Sequence, residues 1–252
     1  MPHPVSNRLP LLPGVLQRLP WPLAMPLLLI ALPAQAAETA IVQEILDGNQ
    51  LFIDRKQARE QDKARAPEQL TTGDSRGQIG FQGGAVGRIN RFSQMKLGQG
   101  CFLLEKGQIL VSGRQAGCTR SARLSPRGTN YVLEVMDNGE ADIAVLEGTV
   151  EVEPAQDGTP TGQPATTVSS GQRLRLSAQG LVLAILGLSP GDYNSILGGP
   201  LFQGFRLPLP AYGSLESYIR SQVPGVNLPS LPSVPSAPSL PSFPSLRLPR
   251  LF

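Results

Sequence analysis

Histidine and tryptophan are almost absent from this sequence. Of its 252 residues, one is histidine (His3) and one is tryptophan (Trp21), and both lie within the first 36 residues. A chain that loses those residues on export contains no imidazole, the side chain that most often serves as general base and metal ligand. The composition therefore argues against histidine-dependent catalysis, and we expect no catalytic residues, no cofactor and no metal site.

Residues 1–36 have the pattern of a cleavable export signal. Arg8 and Arg18 supply positive charge, residues 23–32 are mostly apolar, and Ala34-Gln35-Ala36 has the small side chains of a cleavage site. The apolar stretch is shorter than the roughly 20 residues that span a bilayer and contains proline, which disfavours a retained anchor. We expect an exported protein, periplasmic or extracellular, with no transmembrane span in its mature chain.

An excess of charge of either sign is also lacking. The sequence has 22 basic and 19 acidic residues, and the signal contains Arg8 and Arg18, which leaves 22 − 2 = 20 basic residues against 19 acidic ones. Nucleic-acid binding requires a concentrated basic face. We therefore expect no nucleic-acid partner.

Cysteine occurs only twice, as Cys101 and Cys118, and both residues lie beyond the signal. In an oxidising compartment, two cysteines that flank a short strand-turn segment are expected to form one disulfide. A metal site is a less favoured alternative, because two thiols without histidine or a second cysteine pair provide too few ligands. A free reactive thiol is the third alternative.

Alternating apolar and polar residues between Gly, Asp and Ser turns predict strands through most of residues 37–187. In residues 124–153 we expect three short strands, with a hairpin turn at Asn138-Gly139 and turns at Gly128 and Gly148. The pattern predicts an all-β fold, a single sandwich- or roll-like domain of short antiparallel strands. An irregular segment and a proline-rich tail follow it.

Three other segments are distinctive. Residues 55–69 are densely charged and are expected to form an exposed loop, with a short helix limited by Pro67 as the alternative. Leu181–Leu186 is a continuous apolar run, typical of a strand that is covered on both faces. Residues 188–223 contain Gly and Pro throughout and predict an irregular segment with one short helix at Leu215–Gln222.

Residues 224–252 form a Pro/Ser-rich tail, in which triplets such as LPS and VPS repeat from Leu228 onward. Proline at every third residue favours polyproline II, a helix with three residues per turn. A disordered, semi-rigid spacer is the favoured interpretation. A docking strip for a partner is the alternative.

Five segments resemble, in order, the FecR-domain family of extracytoplasmic β-rich domains. The resemblance extends over about residues 39–178. The segments are QLTTGDSRGQIGFQGGAVGRINRFSQMKL (69–97), LLEKGQILVSG (103–113), LSPRGTNYVLEV (124–135), VLEGTVEV (145–152) and VSSGQRLRL (168–176). Each segment alone is generic, but their order is more specific.

The resemblance implies an exported FecR-like module. Family members of the iron-uptake type have a cytoplasmic arm and one membrane span, through which they control a sigma factor. Neither is expected here, so the resemblance does not imply that signalling role.

Two short motifs resemble catalytic signatures but lack the context that such signatures need. Gly187–Gly191 spells G-x-S-x-G, whose nucleophile requires a histidine base, and Pro190 favours a simple turn. Ser93–Lys96 spells S-x-x-K, which belongs on a helix, whereas the local pattern predicts a strand. Asp137, Glu140 and Asp142 lack the spacing of a calcium loop and fit a solvated hairpin.

Four arginines near the second cysteine form the densest basic cluster: Arg114, Arg120, Arg123 and Arg127. Arginines bind phosphate or carboxylate in a bidentate manner, which makes these residues candidates for anion or ligand contact. The favoured interpretation is that they decorate a solvated sheet face.

The sequence as a whole predicts a non-enzymatic protein that binds or scaffolds in the cell envelope. Its expected partner is an envelope protein or a polysaccharide. An extracytoplasmic sensor module that engages a membrane partner by strand addition is one alternative. A carbohydrate hydrolase that works with a pair of carboxylates is the less favoured one.

Overall fold

Strands make up half of residues 38–229, the part of the chain that the computed structural model describes. The predicted all-β fold class is confirmed, with 50% strand and 10% helix. The predicted signal, and the tail from residue 230 onward, lie outside the described residues. The strands are β1 (Thr39–Leu46), β2 (Leu51–Ile53), β3 (Lys56–Gln57), β4 (Lys63–Arg65), β5 (Gln69–Thr72), β6 (Arg76–Phe81), β7 (Val86–Ile89), β8 (Gln94–Leu97), β9 (Phe102–Gly113), β10 (Gly117–Cys118), β11 (Ala122–Val135), β12 (Ala141–Gln156), β13 (Thr159–Pro160), β14 (Thr166–Ser169), β15 (Gln172–Leu176) and β16 (Val182–Gly187).

The strands form one continuous sheet that folds back on itself. Its main path runs β16-β15-β12-β11-β10-β9-β7-β6-β1-β4, and β8, β5, β2 and β3 extend from the first half of β9. The long strands β9, β11 and β12 therefore belong to both layers. Nearly all pairings are antiparallel, and the exception is the short β9–β10 pair.

Each long strand contains a glycine with positive φ inside it. Gly107 lies within β9 (φ 88°), Gly128 within β11 (φ 63°) and Gly148 within β12 (φ 89°). The β11–β12 register is irregular close to Gly128 and Gly148, as expected where strands bend. The sequence predicted turns at Gly128 and Gly148, but the strands continue through both residues.

The main hydrophobic core lies between the two layers. It contains side chains from the first half of β9 and the strands that pair with it, such as Met95 and Phe102, and from the second half, such as Ile109 and Leu133. Tyr131 is fully buried there and donates a hydrogen bond to the carbonyl oxygen of Gln115 at 2.9 Å.

Two helices cover the outer face of one layer. The structure places α1 (Pro190–Leu197) and α2 (Tyr212–Gln222) in residues 188–223, where the sequence suggested irregular chain and a single short helix. They bury a second cluster of side chains against the sheet: Val86, Leu110, Val132, Ala144, Leu146, Tyr193, Leu197, Leu201, Phe202, Leu209, Leu215 and Ile219.

Buried Arg88 connects the sheet to the chain between the helices. Its guanidinium donates hydrogen bonds to the carbonyl oxygens of Leu201 (3.2 Å) and Leu207 (2.8 Å), and to Gln78 Oε1 (2.8 Å). Its Cζ lies 4.3 Å from the ring centroid of Phe205. Burial lowers the pKa of Arg88 to about 10, against the opposing influence of Glu44.

Glu44 provides the acidic part of the same connection. It is buried on β1, and its carboxylate accepts hydrogen bonds from the backbone N–H of Arg206 (3.1 Å) and of Leu207 (3.3 Å). The exposed Arg206 side chain adds a third donor, Nε, at 2.9 Å. A buried carboxylate needs such donors, because it has lost its hydration.

The start of the tail packs against the helices. Asn227 N donates to Asn194 Oδ1 at 2.7 Å, and Tyr212 Oη donates to the Pro229 carbonyl oxygen at 2.8 Å. Val226 and Leu228 are partly buried against the second cluster. Among residues 38–229, no helix has both the length and the hydropathy to cross a membrane.

The predicted disulfide between Cys101 and Cys118 is present, with Cα atoms 5.9 Å apart. It connects the chain just before β9 to β10, which pairs with β9.

Replacing both cysteines by serine is expected to lower the free energy of unfolding by about 3 kcal/mol, because the unfolded chain regains the entropy of the closed loop. Urea denaturation followed by far-UV circular dichroism measures this loss. A reducing agent should produce a similar loss in the wild-type chain and none in the double variant. A double variant as stable as the oxidised wild type would contradict the expectation.

Candidate functional site

The strand β16 is an edge of the sheet and pairs only with β15. The large side chains of β16 and of the residue before it are each about half exposed or more: Leu181 68%, Val182 48%, Leu183 52%, Ile185 46% and Leu186 51%. We call residues 181–187 the β16 edge. Such a long apolar edge is a template for pairing with another strand.

Exposed apolar side chains lie on both faces of the β16 edge. Ile185 is opposite the buried core residue Leu174 and shares its face, whereas Leu186 is opposite Arg173 and points to the other face. The sequence predicted a strand covered on both faces. The described residues leave both faces largely uncovered, since Ile185 on one face and Leu186 on the other are each about half exposed.

Backbone groups at this edge also lack partners in the sheet. Leu188 N donates to the Gly171 carbonyl oxygen at 2.7 Å, and Gln172 is paired with Gly187. Because hydrogen-bonded and non-hydrogen-bonded pairs alternate along an antiparallel ladder, this bond fixes the N–H and C=O of Ile185 as pointing away from β15. The β16 edge thus offers hydrogen-bonding groups as well as apolar surface.

The other edge strands among residues 38–229 are short and polar. They are β3 (Lys56–Gln57), β4 (Lys63–Arg65), β13 (Thr159–Pro160) and β14 (Thr166–Ser169). Charged residues and proline on an edge prevent unwanted pairing. The charged residues 55–69, predicted to be an exposed loop, contain two of these protected strands. The β16 edge lacks such protection apart from a bulge near Leu183, where the register with β15 shifts.

A charged cluster lies one strand away from the β16 edge. On the helix-covered side of the sheet, the nearly buried Asp142 is 3.2 Å from Arg173 Nε and 3.5 Å from Arg175 Nη2. Burial raises the pKa of Asp142, and the two arginines oppose that change. Asp142 offsets one of the two arginine charges, and the β16 edge itself contains no charged residue.

The four arginines suggested as anion contacts do not share one ligand position. Arg127 pairs with Glu151 at 2.9 Å, and Arg123 donates to the Gly100 carbonyl oxygen at 3.0 Å. Arg120 lines a groove of about 420 Å³ together with Lys106. Arg114 is exposed in the loop between β9 and β10.

The hydroxyl of Ser189 in the G-x-S-x-G segment caps α1. Ser189 Oγ accepts a hydrogen bond from Asp192 N at 3.1 Å and donates one to Asp192 Oδ2 at 2.6 Å. Asp192 Oδ2 also accepts from Ser189 N, which completes a capping box. The hydroxyl is therefore committed to the helix end.

The remaining polar motifs are also used within the fold. Ser93 is buried, and its Oγ accepts a hydrogen bond from Gln108 N at 3.0 Å, just before the strand β8. Asp137 pairs with Lys106 at 2.6 Å in the hairpin, whereas Asp142 faces the arginines of β15. These two carboxylates do not meet at one site.

Comparisons with known proteins find little. No protein-family profile and no curated protein matches the chain. Two crystal structures of putative anti-sigma factors from Parabacteroides distasonis are similar to it. One is 14% identical, with a TM-score of 0.38, and the match covers 48% of this chain and 59% of that one, less than two thirds of its length. The other is 15% identical, with a TM-score of 0.41, and the match covers 60% and 73%. These values carry no functional information.

Proposed function

We propose that the protein is a non-enzymatic, exported FecR-like module that binds or scaffolds in the cell envelope, and that its working surface is the β16 edge. The partner is a protein that adds a strand to this edge. The ordered sequence segments that resemble the FecR-domain family support the family part of the proposal. The disulfide fits an oxidising compartment outside the cytoplasm.

The exposure of the β16 edge carries the proposal. An isolated apolar edge strand is a hazard, and this chain protects its other described edges with charge, proline or short length. Strand addition uses main-chain hydrogen bonds for affinity and side-chain contacts for specificity. The β16 edge supplies the outward backbone groups of Ile185 for the first purpose and its branched side chains for the second.

Substitution of Ile185 by lysine is expected to weaken capture of the partner strongly, because the ammonium group would then lie beside the apolar side chains of the added strand without a counter-charge. The measurement is affinity purification of the tagged exported protein from the envelope fraction, followed by binding of each captured protein in purified form. We expect at least one purified protein to bind the wild-type chain about 100-fold more tightly than the Ile185→Lys chain.

The matched control is Phe92→Lys. Phe92 is another exposed apolar residue, 62% accessible, in the turn between β7 and β8, so its substitution changes charge and hydropathy in a similar way at a distant place. This variant should retain the partner. Equal binding by the wild-type and Ile185→Lys chains would refute a working role for the β16 edge.

A further inference from the structure

The β16 edge lies in a long stretch without charge. No acidic or basic residue occurs between Arg175 and Asp192, and the strand itself reads VLAILG. A charged partner strand would bury its charge against this surface without a counter-charge, which is costly. The strand that fits the edge is therefore uncharged, apolar on both faces and about six residues long. Among the described residues of this chain, β16 itself meets that description.

We propose that β16 pairs antiparallel with the β16 of a second copy, so that the two sheets become continuous across a two-fold axis. This inference rests on the proposed function and names the partner. A two-fold contact is isologous, since the same patch is used on both copies and must complement itself. An uncharged strand meets this requirement, because no like charges come opposite each other.

The two-fold axis also brings corresponding faces of the two sheets to the same side of the dimer. An axis perpendicular to the sheet keeps corresponding faces on the same side, so Val182 and Ile185 of both copies extend the core side. Leu186 of both copies lies on the helix-covered side. On each face, apolar side chains of the two β16 strands thus become cross-strand neighbours, and the backbone groups of Ile185 gain partners.

The nearest charges do not oppose this pairing. Arg173 and Arg175 lie on β15, so two β16 strands separate them from their counterparts in the second copy. At about 4.8 Å between neighbouring strands, this separation is about 14 Å. It exceeds the Debye length of about 8 Å at physiological ionic strength. Asp142 further neutralises one of the two arginine charges within each copy.

The size of the edge determines the strength of the dimer. A standard interface uses about 20 to 30 residues from each partner. The β16 edge provides seven, residues 181–187. The dimer therefore belongs to the weak class, with dissociation constants in the micromolar range, and its population depends on protein concentration.

Sedimentation velocity of the mature chain, from about 1 to about 200 μM, tests the proposal. The wild-type chain is expected to change from monomer to dimer within this range. Ile185→Lys should weaken dimerisation by about 100-fold, since each dimer would bring two like charges without counter-charges into an apolar contact. Phe92→Lys should dimerise like the wild type, and far-UV circular dichroism establishes that each variant is folded.

A second variant keeps the proposal testable if the Ile185→Lys chain does not fold. Leu183→Lys places the charge at the bulge of β16, where the side chain is 52% exposed and its burial in the fold is smaller. It should also weaken dimerisation. A wild-type chain that stays monomeric at 200 μM, or folded lysine variants that dimerise normally, would overturn the proposal. So would a broad series of larger species, because two-fold pairing occupies the β16 edge of both copies.

The two proposals fail in different ways. If the wild-type chain is monomeric but Ile185→Lys loses a purified envelope protein, the second copy is the wrong occupant and the β16 edge still has its proposed role. If the dimer forms and every envelope protein binds the Ile185→Lys chain normally, the dimer stands and the binding of other proteins takes place elsewhere.

Discussion

Replacement of Gly148 by alanine is expected to lower the free energy of unfolding by about 2–5 kcal/mol. Two costs combine at this residue. Its φ of 89° is unfavourable for a residue with a Cβ atom, which costs about 1–2 kcal/mol. The added Cβ would also lie 2.5 Å from the Gly128 carbonyl oxygen and 2.6 Å from Thr129 Cγ2. Such overpacking typically costs about 1–3 kcal/mol.

The clash at Gly148 cannot be relieved at a small cost in free energy. The Gly128 carbonyl oxygen belongs to the backbone of β11, so moving it disturbs the ladder between the two longest strands, β11 and β12. Main-chain atoms in the centre of a sheet cannot rotate away as the end of a flexible side chain can. We therefore expect the full cost in urea denaturation of the Gly148→Ala variant.

Gly128→Ala is the matched control for Gly148→Ala. Gly128 also has a positive φ, 63°, and lies at the same bend, but a Cβ there meets nothing within 4 Å. Only the backbone cost of about 1–2 kcal/mol remains. Equal losses in the two variants would show that close approach of the strands is unimportant at this bend.

Replacement of Arg88 by methionine is expected to lower the free energy of unfolding by about 3–5 kcal/mol, the typical cost of removing one partner from a buried charged network. Methionine fills most of the space but donates no hydrogen bond. The carbonyl oxygens of Leu201 and Leu207 then lose their guanidinium donors, and Glu44 loses a nearby positive charge. Each buried acceptor without a donor is costly.

Arg91→Met is the control for Arg88→Met. Arg91 forms ion pairs with Asp47 (2.6 Å) and Asp74 (3.1 Å), but its side chain is 38% exposed. Exposed ion pairs contribute roughly 0–1 kcal/mol, so the control should lose little stability. Comparable losses from the two substitutions in urea denaturation would contradict the assigned importance of burial.

The fold class was predictable because its signals are local. The local pattern at Ser93–Lys96 predicted a strand, and the structure has β8 there, at Gln94–Leu97. The same local signals misplaced the bends at Gly128 and Gly148. A glycine with positive φ serves equally in a turn and in a bent strand, and distant strands that keep pairing beyond it decide between the two.

The helix α1 has a start signal in the sequence. Ser189-Pro190 followed by Asp192 gives a capping serine, a proline in the first turn and an acidic residue three positions after the cap. The abundance of glycine and proline nearby suggested irregular chain instead. Buried Arg88 and Glu44 have no comparable signal, because charged residues in strands are normally assigned to the solvated face.

The sequence predicted the strand of the candidate site but not its exposure. The apolar run Leu181–Leu186 was identified as a strand that needs cover on both faces, but the sequence does not tell whether the cover comes from the same chain. Proximity in the sequence was the reason for predicting an anion contact at four arginines: Arg114, Arg120, Arg123 and Arg127. Placement in the fold separates them and gives Arg127 and Arg123 partners within the chain.

The passage of β9, β11 and β12 through both layers has a consequence for how the molecule opens. A layer cannot detach while the strands that it shares with the other layer remain paired. Large partial openings are thereby disfavoured, and the domain is expected to lose its structure in a single cooperative step. Smaller fluctuations remain available at strands with one neighbour, and β16 is one of these. The region best suited to exchange partners is thus also the one that can move without disturbing the rest.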